Sequence, residues 1–368
     1  MVRQTQHVFI HSPELEQYSY PPYVPFDVSR AGRVRRLLQS FGALTGPDRK
    51  EVAPEAASRP VLERANGGYL PSHLMQMGLG TMDCPVFAGM YDYAVLAAGA
   101  TLTGARLVLH GEAPVTFNPS GGYHHAGPEL AAGFCYINDV VLGCLELAAH
   151  ERRVAVIDLD VHHGDGVQAA FYHRNDVMTI SLHESGETLF PGSGFVNEIG
   201  EGPGLGYSVN VPLPVGIYDG AYLRVFREVV VPLVSEYDPD VVMVEVGADG
   251  LAGDPLAHLK LTNNVYADIL KQVRSWGKPI VAVGGGGYHV ENTVRAWALA
   301  WTVLCGDELR DEASAGLGGV LLESTEWQGG LRDRVLVPSA DQVRLIEPVV
   351  ERIIAEVKRA VFSLHHLS

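Results

Sequence analysis

Residues 153–166 have the sequence RVAVIDLDVHHGDG, and this stretch decides what fold to expect. The run 153–160 is short, apolar and rich in β-branched residues, which is typical of a buried strand. Side chains two apart in a strand point to the same face, so Asp158 and Asp160 should project together. Buried carboxylates repel each other unless a cation neutralises them. We therefore expect a divalent metal bound by Asp160 and His162, the alternative being an acidic strand end that caps the next helix.

Three other apolar runs also end in loops with polar residues. In chain order they are 114–119 before His124 and His125, 240–247 before Asp249 and Asp254, and 279–284 before Tyr288. Ligands of open α/β sheets bind beyond the carboxyl ends of the strands, so we expect these loops to converge. We predict Asp254 as the third metal ligand, because Pro255 keeps it extended towards the site.

Apolar runs alternate with helix-like stretches, which predicts an α/β fold with a central, mostly parallel sheet and helices on both faces. At 368 residues and 47% hydrophobic content the chain can bury a large core, so we predict one domain over 1–368. Strands are predicted at 153–160, 177–183, 207–213, 240–247 and 279–284, and helices at 137–150, 164–174, 219–236, 262–276 and 290–305. We also expect a closing helix at about 339–361 and a loop with a short helix at 45–75, and 307–338 is unassigned.

The chain has two tandem histidine pairs in different surroundings. His124 and His125 follow a strand within a glycine-rich segment, which favours a functional role. His365 and His366 have neither glycines nor an acidic residue close to them in the sequence. We predict that the second pair belongs to a surface tail. The glycines of 284–287 lack the pattern of a phosphate-binding loop, and those of 200–206 precede a strand and predict a turn-rich loop.

Net charge, hydropathy and cysteine spacing indicate which partners and which location to expect. A formal net charge of −16 argues against nonspecific nucleic-acid binding and suits cationic partners such as Lys-rich peptides or polyamines. No apolar stretch reaches membrane-spanning length, and residues 1–6 lack the hydrophobic segment of a signal peptide. The four cysteines show no CxxC spacing, which predicts a reducing, cytoplasmic location without disulfides. These properties are compatible with a homo-oligomer.

Nine motifs, in order along the chain, resemble those of the zinc-dependent histone deacetylases, most closely the class I branch, and of the bacterial acetoin-utilisation-type deacetylases. The matching segments are 83–85 (DCP), 120–126 (SGGYHHA), 133–139 (GFCYIND), 158–166 (DLDVHHGDG), 179–183 (TISLH), 189–194 (LFPGSG), 247–249 (GAD), 253–255 (GDP) and 284–288 (GGGGY). The resemblance runs from about residue 7 to about residue 306. It implies the arginase–deacetylase fold, with a sheet of about eight strands.

The resemblance also implies an activity, namely metal-dependent removal of acetyl or other acyl groups from N-ε-acyl-lysine in proteins or peptides. The main alternative is an acetylpolyamine amidohydrolase with the same one-metal mechanism. Such an enzyme should need an acid at the tunnel mouth, and residues 255–261 offer none and carry Lys260. An arginase-like ureohydrolase and a catalytically inactive acyl-lysine-binding protein fit less well. Zn²⁺ is the expected cofactor, although Fe²⁺ would accept the same ligands, and a structural K⁺ is implied.

The roles that the resemblance assigns fall into five groups. The metal ligands are Asp160, His162 and Asp254. The proton-transfer and oxyanion groups are His125 as base and acid, His124 as an electrostatic partner, Asp165 and Asp158 as orienting carboxylates, and Tyr288 as oxyanion donor. The substrate contacts are Phe134, Phe190 and Gly133 in a tunnel, Asp83 at its rim, and Leu261 near the rim if the loop after Asp254 folds back. Arg30 and Tyr123, the latter replacing a tryptophan common in class I, would line an acetate cavity, and K⁺ would lie near Asp158, Asp160, His162, Ser181 and Leu182.

Overall fold

The computed structural model describes residues 6–66, 80–128, 130–307 and 330–368. Its central feature is one eight-stranded sheet in which every neighbouring pair is parallel, with the order β2-β1-β3-β8-β7-β4-β5-β6. The strands are β1 His7–Ile10, β2 Arg49–Val52, β3 Val115–Asn118, β4 Val154–Asp158, β5 Val177–Glu184, β6 Ser208–Leu213, β7 Val241–Glu245 and β8 Ile280–Val283. The predicted parallel α/β sheet is confirmed.

Helices cover both faces of the sheet, and the alternation of side chains along the strands shows it. Val154 and Val156 pack in one apolar cluster, whereas Ala155 and Ile157 pack in another. Strands buried on both faces read as continuous apolar runs, which is why β4, β7 and β8 were recognisable from the sequence. The helices are Arg30–Ser40, Arg59–Asn66, Met90–Leu109, Asp139–Ala148, Asp165–Phe171, Asp219–Val225, Val231–Tyr237, Asn263–Ser275, Val290–Leu304 and Ala340–Val361.

The structure differs from the predictions in several elements. Helix Met90–Leu109 and strands β1 and β2 were not predicted, and β2 lies in the segment expected to be mainly loop. The helix predicted at 219–236 is interrupted by a π-helical turn at Phe226–Val230, just before Pro232, which lacks an amide hydrogen for the regular pattern. The predicted closing helix is present. Of the unassigned segment 307–338, only 307 and 330–338 are described.

The prediction that His365 and His366 form a surface tail is wrong for His365. Its side chain is only 6% exposed, and its Nε2 lies 2.8 Å from the carbonyl oxygen of Gly206. The turn Phe362–His365 packs at the end of the closing helix, and the His365 ring contacts the Tyr207 ring. The segment 200–206 contains a short 3₁₀ turn, Gly202–Gly204, as the predicted turn-rich loop requires. No described helix has the length and apolar character needed to cross a membrane.

Strand register lines up polar side chains at the carboxyl edge of the sheet. Asp158 of β4 is paired with Glu245 of β7 on one side and with Ser181 of β5 on the other. Paired residues of neighbouring strands point to the same face, so these three side chains form a row. The row lies under the loops that follow β3, β4 and β8, where the predicted site residues converge.

Candidate metal and catalytic site

The two histidines after β3 each face a carboxylate. His124 Nδ1 lies 2.8 Å from Asp158 Oδ2, and His125 Nδ1 lies 2.8 Å from Asp165 Oδ1. The remaining ring nitrogens, Nε2 of both residues, are 3.1 Å apart. The structure thus assembles both pairs expected from the resemblance.

The surroundings give the two histidines opposite tendencies to hold a proton. Burial opposes charge on His124, but the carboxylates of Glu245, Asp158 and Asp160 outweigh it and raise the pKa of His124 well above its usual value. Burial, together with the charge on His124, lowers the pKa of His125 to about 4. His124 therefore suits a fixed imidazolium and His125 a neutral base, the division of roles that the resemblance implies.

Three buried residues could hold a divalent cation. One donor atom each from Asp160, His162 and Asp249 lies within 4.8 Å of the others. His162 Nδ1 is 3.1 Å from Asp160 Oδ1 and 3.0 Å from Asp249 Oδ2. Burial and the charge of Asp160 raise the pKa of Asp249 to about 7, and a cation at this place would favour the ionised carboxylate. Carboxylate oxygens with one imidazole nitrogen fit Zn²⁺ or Fe²⁺.

Asp254, the predicted third ligand, lies outside this cluster. Its Oδ2 accepts hydrogen bonds from the backbone N–H of Tyr288 at 2.7 Å and of His289 at 3.2 Å, and its Oδ1 accepts one from Leu256 at 2.9 Å. Asp254 is 8% exposed, and its charge contributes to raising the pKa of Asp249. The observed contacts of Asp254 therefore fix the Tyr288 segment, and its role as a metal ligand stays a prediction.

Tyr288 and two phenylalanines surround the His125 and His162 rings. The Tyr288 ring centroid lies 5.6 Å from that of Phe134 and 6.3 Å from that of His162. The Phe190 ring lies 5.0 Å from that of His125 and is 46% exposed. The arrangement brings the predicted tunnel walls beside the predicted base and metal ligand.

Glycines permit these close approaches. Gly133 has φ of 56°, and a Cβ there would lie 2.3 Å from His125 Cδ2, so no other residue fits without moving the histidine. A Cβ at Gly286 would lie 1.9 Å from Asp249 Oδ2. Gly133 also donates its N–H to Asp83 Oδ2 at 2.7 Å, so the predicted rim acid fixes the loop that carries Phe134.

Arg30 and Tyr123 line one small cavity, as predicted for an acetate cavity. The Arg30 guanidinium stacks between Phe26 and Trp297 and donates to the carbonyl oxygens of Gly287, at 2.6 Å, and Gly285. The Tyr123 hydroxyl is hydrogen-bonded to that of Tyr93, which gives the cavity a polar wall where a tryptophan would be less polar.

The structure places Leu261 away from its predicted position at the rim, whereas the predicted K⁺ site stays a prediction. Leu261 is 1% exposed and packs in the main apolar core, so its prediction as a rim residue is wrong. Its carbonyl oxygen accepts a hydrogen bond from the N–H of Ala252 at 2.8 Å. Of the residues predicted near K⁺, Ser181 is paired with Asp158 in the sheet, and its hydroxyl lies 2.8 Å from His183 Nδ1.

Sequence reasoning missed Glu245 as a site residue. It is fully buried, its Oε1 lies 3.2 Å from His124 Nδ1, and neither oxygen is aligned for a hydrogen bond within the described ranges. With His124 and Asp160 it forms a second group of potential metal-binding atoms. Glu245 is the only acid in the apolar run 241–247, and this was the available signal, because an unpaired carboxylate is costly inside a sheet.

Comparison with known proteins agrees with this geometry. Residues 48–304 match the family described as the histone deacetylase domain. The chain is 38% identical over 321 residues to histone deacetylase 8 of Xenopus tropicalis, covering 83% of this chain and 85% of that protein. It is 45% identical over 322 residues to histone deacetylase B of Dictyostelium discoideum, covering 84% and 76%. The crystal structure of an HDAC homologue from Aquifex aeolicus superposes with a TM-score of 0.82 at 29% identity, covering 95% of this chain and 100% of that one.

Proposed function

Because the chain belongs to the histone deacetylase family, we propose that it hydrolyses N-ε-acyl-lysine in proteins or peptides and releases acetate or another acyl acid. The observation that carries the proposal is the His124–His125 pair, with each Nδ1 held 2.8 Å from its own carboxylate. Two adjacent imidazoles with opposite pKa shifts are suited to moving one proton during amide hydrolysis.

We propose Zn²⁺ as the cofactor, with Fe²⁺ as the other ion that the donor set accepts. Asp160 and His162 would hold it together with a third carboxylate, for which the resemblance favours Asp254 and the contact with His162 supports Asp249. When bound, the ion supplies Lewis-acid polarisation of the acyl carbonyl and of water. A structural K⁺ is also proposed, supported by the pairing of Asp158 with Ser181.

His125 carries the proton transfers. Its Nε2 faces away from Asp165 and lies 3.1 Å from His124 Nε2. A bound water would displace that contact and give a proton to His125 Nε2 as its oxygen attacks the acyl carbonyl carbon. The same nitrogen then gives that proton to the lysine Nζ as the C–N bond breaks, so the products are a carboxylic acid and a free amine. His124, held by Asp158, contributes positive charge while the carbonyl oxygen becomes negative.

Tyr288 would donate its hydroxyl to that oxygen, and its backbone N–H is fixed by Asp254. Gly133, Phe134 and Phe190 would enclose the lysine stem. Asp83, which accepts the N–H of Gly133, would also bind the substrate backbone. Arg30 and Tyr123 would line the cavity for the released acid. The single sheet, with strands from His7 to Val283, supports one catalytic domain, and four free cysteines support a cytoplasmic location.

The decisive experiment compares specificity constants for acetyl-, longer acyl- and lactyl-lysine peptides with those for acetylated polyamines. We expect peptides to be preferred, because Lys260 is exposed and residues 255–261 provide no acid for a distal ammonium group. His125→Ala protein serves as the control for contaminating activity. A preference for acetylpolyamines would replace the substrate class, and no hydrolysis of any acyl amide by metal-loaded protein would remove the proposal.

A further inference from the structure

Asn138 and Asp139 contact the backbone on both sides of the catalytic histidine pair. We propose that they are positioning residues, which fix the segment 122–126 and so set the geometry of His124 and His125. The inference rests on the proposed function, because it concerns how that site is held in place. Neither residue takes part in the proposed proton transfers, and both are buried.

Asp139 binds the chain just before the histidines. Its carboxylate accepts the N–H groups of Gly122, at 3.0 and 3.1 Å, and of Tyr123, at 2.8 Å, and the hydroxyl of Thr101 at 2.5 Å. Burial raises the pKa of Asp139, although Thr101 and the two N–H groups oppose that shift. A fully buried carboxylate is a costly way to hold a loop unless the loop must be held tightly.

Asn138 binds the chain at and after His124. Its Nδ2 donates to the carbonyl oxygens of His124 and Ala126, both at 3.0 Å. Its Oδ1 accepts the N–H of Val141 at 3.0 Å and so caps helix Asp139–Ala148. Capping needs only that oxygen, and Ser, Thr or Asp would supply it. The amide donors of Asn138 therefore serve the histidine segment and not the helix.

The packing around both side chains leaves little room for adjustment. A Cβ at Gly121 would lie 2.4 Å from Asp139 Oδ2, and a Cβ at Gly166 would lie 2.6 Å from the His124 carbonyl oxygen. Proton transfer between heavy atoms requires hydrogen-bond distances, and small displacements of reacting groups are expensive. Loosening this backbone should therefore damage proton transfer before it damages substrate binding.

The main test uses Asp139→Asn, which keeps the shape but presents an amide to three donors. The holoenzyme is assayed with an acetyl-lysine peptide, whose amine must be protonated to leave, and with 4-nitrophenyl acetate, whose phenolate leaves without a proton. We expect kcat for the peptide to fall by about 10–100-fold with KM within about twofold. The loss for the ester should be smaller, because its hydrolysis needs proton transfer from water to His125 but not the return of that proton to the leaving group. Asn138→Asp, which keeps the helix cap, should behave alike.

Proton NMR provides a readout that needs no turnover. The Nδ1–H groups of His124 and His125 donate hydrogen bonds to carboxylates, so the signals of these protons should lie far downfield in wild-type protein. Both substitutions should move at least one of these signals. Such a shift together with wild-type protein that hydrolyses no acyl-lysine would support the positioning role while removing the proposed function.

Asp219→Asn is the matched control. Asp219 also occupies the first position of a helix, and it accepts the N–H of Thr262 at 2.7 Å and the Thr262 hydroxyl at 2.5 Å, but it does not contact the histidine segment. The control should lose stability and keep the wild-type ratio of peptide to ester activity. If the position 139 variant does not fold, Thr101→Val gives the same comparison with one donor removed. Folded, metal-loaded variants with the wild-type ratio and unshifted histidine signals would overturn the proposal.

Discussion

Nε2 of His124 lies 3.1 Å from Nε2 of His125, while each Nδ1 faces a carboxylate. A hydrogen bond between these nitrogens requires one of them to carry the proton and the other to be free. The three carboxylates around His124 place that proton on His124. The pair therefore works as one imidazolium beside one base.

Replacing each histidine by alanine should have unequal effects. His125→Ala should lower kcat by about 10²–10⁴-fold, because the group that accepts and returns the proton is lost. His124→Ala should leave more activity, because it removes charge and not the proton carrier. Steady-state kinetics on folded, metal-loaded variants measures both. A larger loss for His124→Ala would reverse the assigned roles.

Tyr288→Phe removes the predicted oxyanion donor but keeps the aromatic ring beside Phe134 and His162. Since the hydroxyl acts on charge that develops in the transition state, kcat should fall by about 10²–10³-fold and KM should change little. Stopped assays with an acetyl-lysine peptide distinguish the two parameters. A rise in KM alone would make Tyr288 a substrate-binding residue only.

Asp254→Asn and Asp249→Asn identify the third metal ligand. If Asp254 is the ligand, its variant should lose most of the bound Zn²⁺, and Asp249→Asn should weaken affinity by about 10–100-fold, as expected for a residue that orients His162. Competition with a chelator gives both affinities. The opposite order would show that Asp249 coordinates the ion and that Asp254 serves the Tyr288 segment.

Glu245→Gln should stabilise the protein in a pH-dependent way. Burial raises the pKa of Glu245 well above its usual 4.5, although the charge of His124 opposes this. An acid with a raised folded pKa favours folding below its unfolded pKa, and this contribution is lost as pH rises towards the folded pKa. The melting temperature of the variant should therefore exceed that of wild type by about 2–4 °C at pH 8, with a smaller gap near pH 5.

Glu184→Gln is the control for that comparison. Glu184 also ends a strand and is buried, but its oxygens accept the backbone N–H of His258 at 2.9 Å and the Thr188 hydroxyl at 3.1 Å, and Oε1 lies 2.8 Å from His258 Nδ1. Its replacement should destabilise, because partners are lost. If both variants lower the melting temperature at pH 8, the ion pair between Glu245 and His124 outweighs the cost of burying the carboxylate.

The sequence alone predicted most of the interior of the sheet. Strands β4, β7 and β8 carry continuous apolar runs because both of their faces are buried, so burial leaves a local signal. The pairing of His124 with Asp158 and of His125 with Asp165 was likewise implied by the motif resemblance. Edge strand β2, Arg49–Val52, was not predicted, because it has a strand neighbour on one side only and its composition is polar.

Only the tertiary structure decided features that depend on residues distant in the chain. Pro255 favoured Asp254 as the third metal ligand, and the turn after β7 also brings Asp249 Oδ2 to 3.0 Å from His162 Nδ1. Leu261 is in the core and His365 is buried against Gly206, because other segments cover them. Glu245 belongs to the site because the strand register pairs it with Asp158. Local sequence specifies what an element can bury, whereas the packing of distant segments decides which polar groups are brought together.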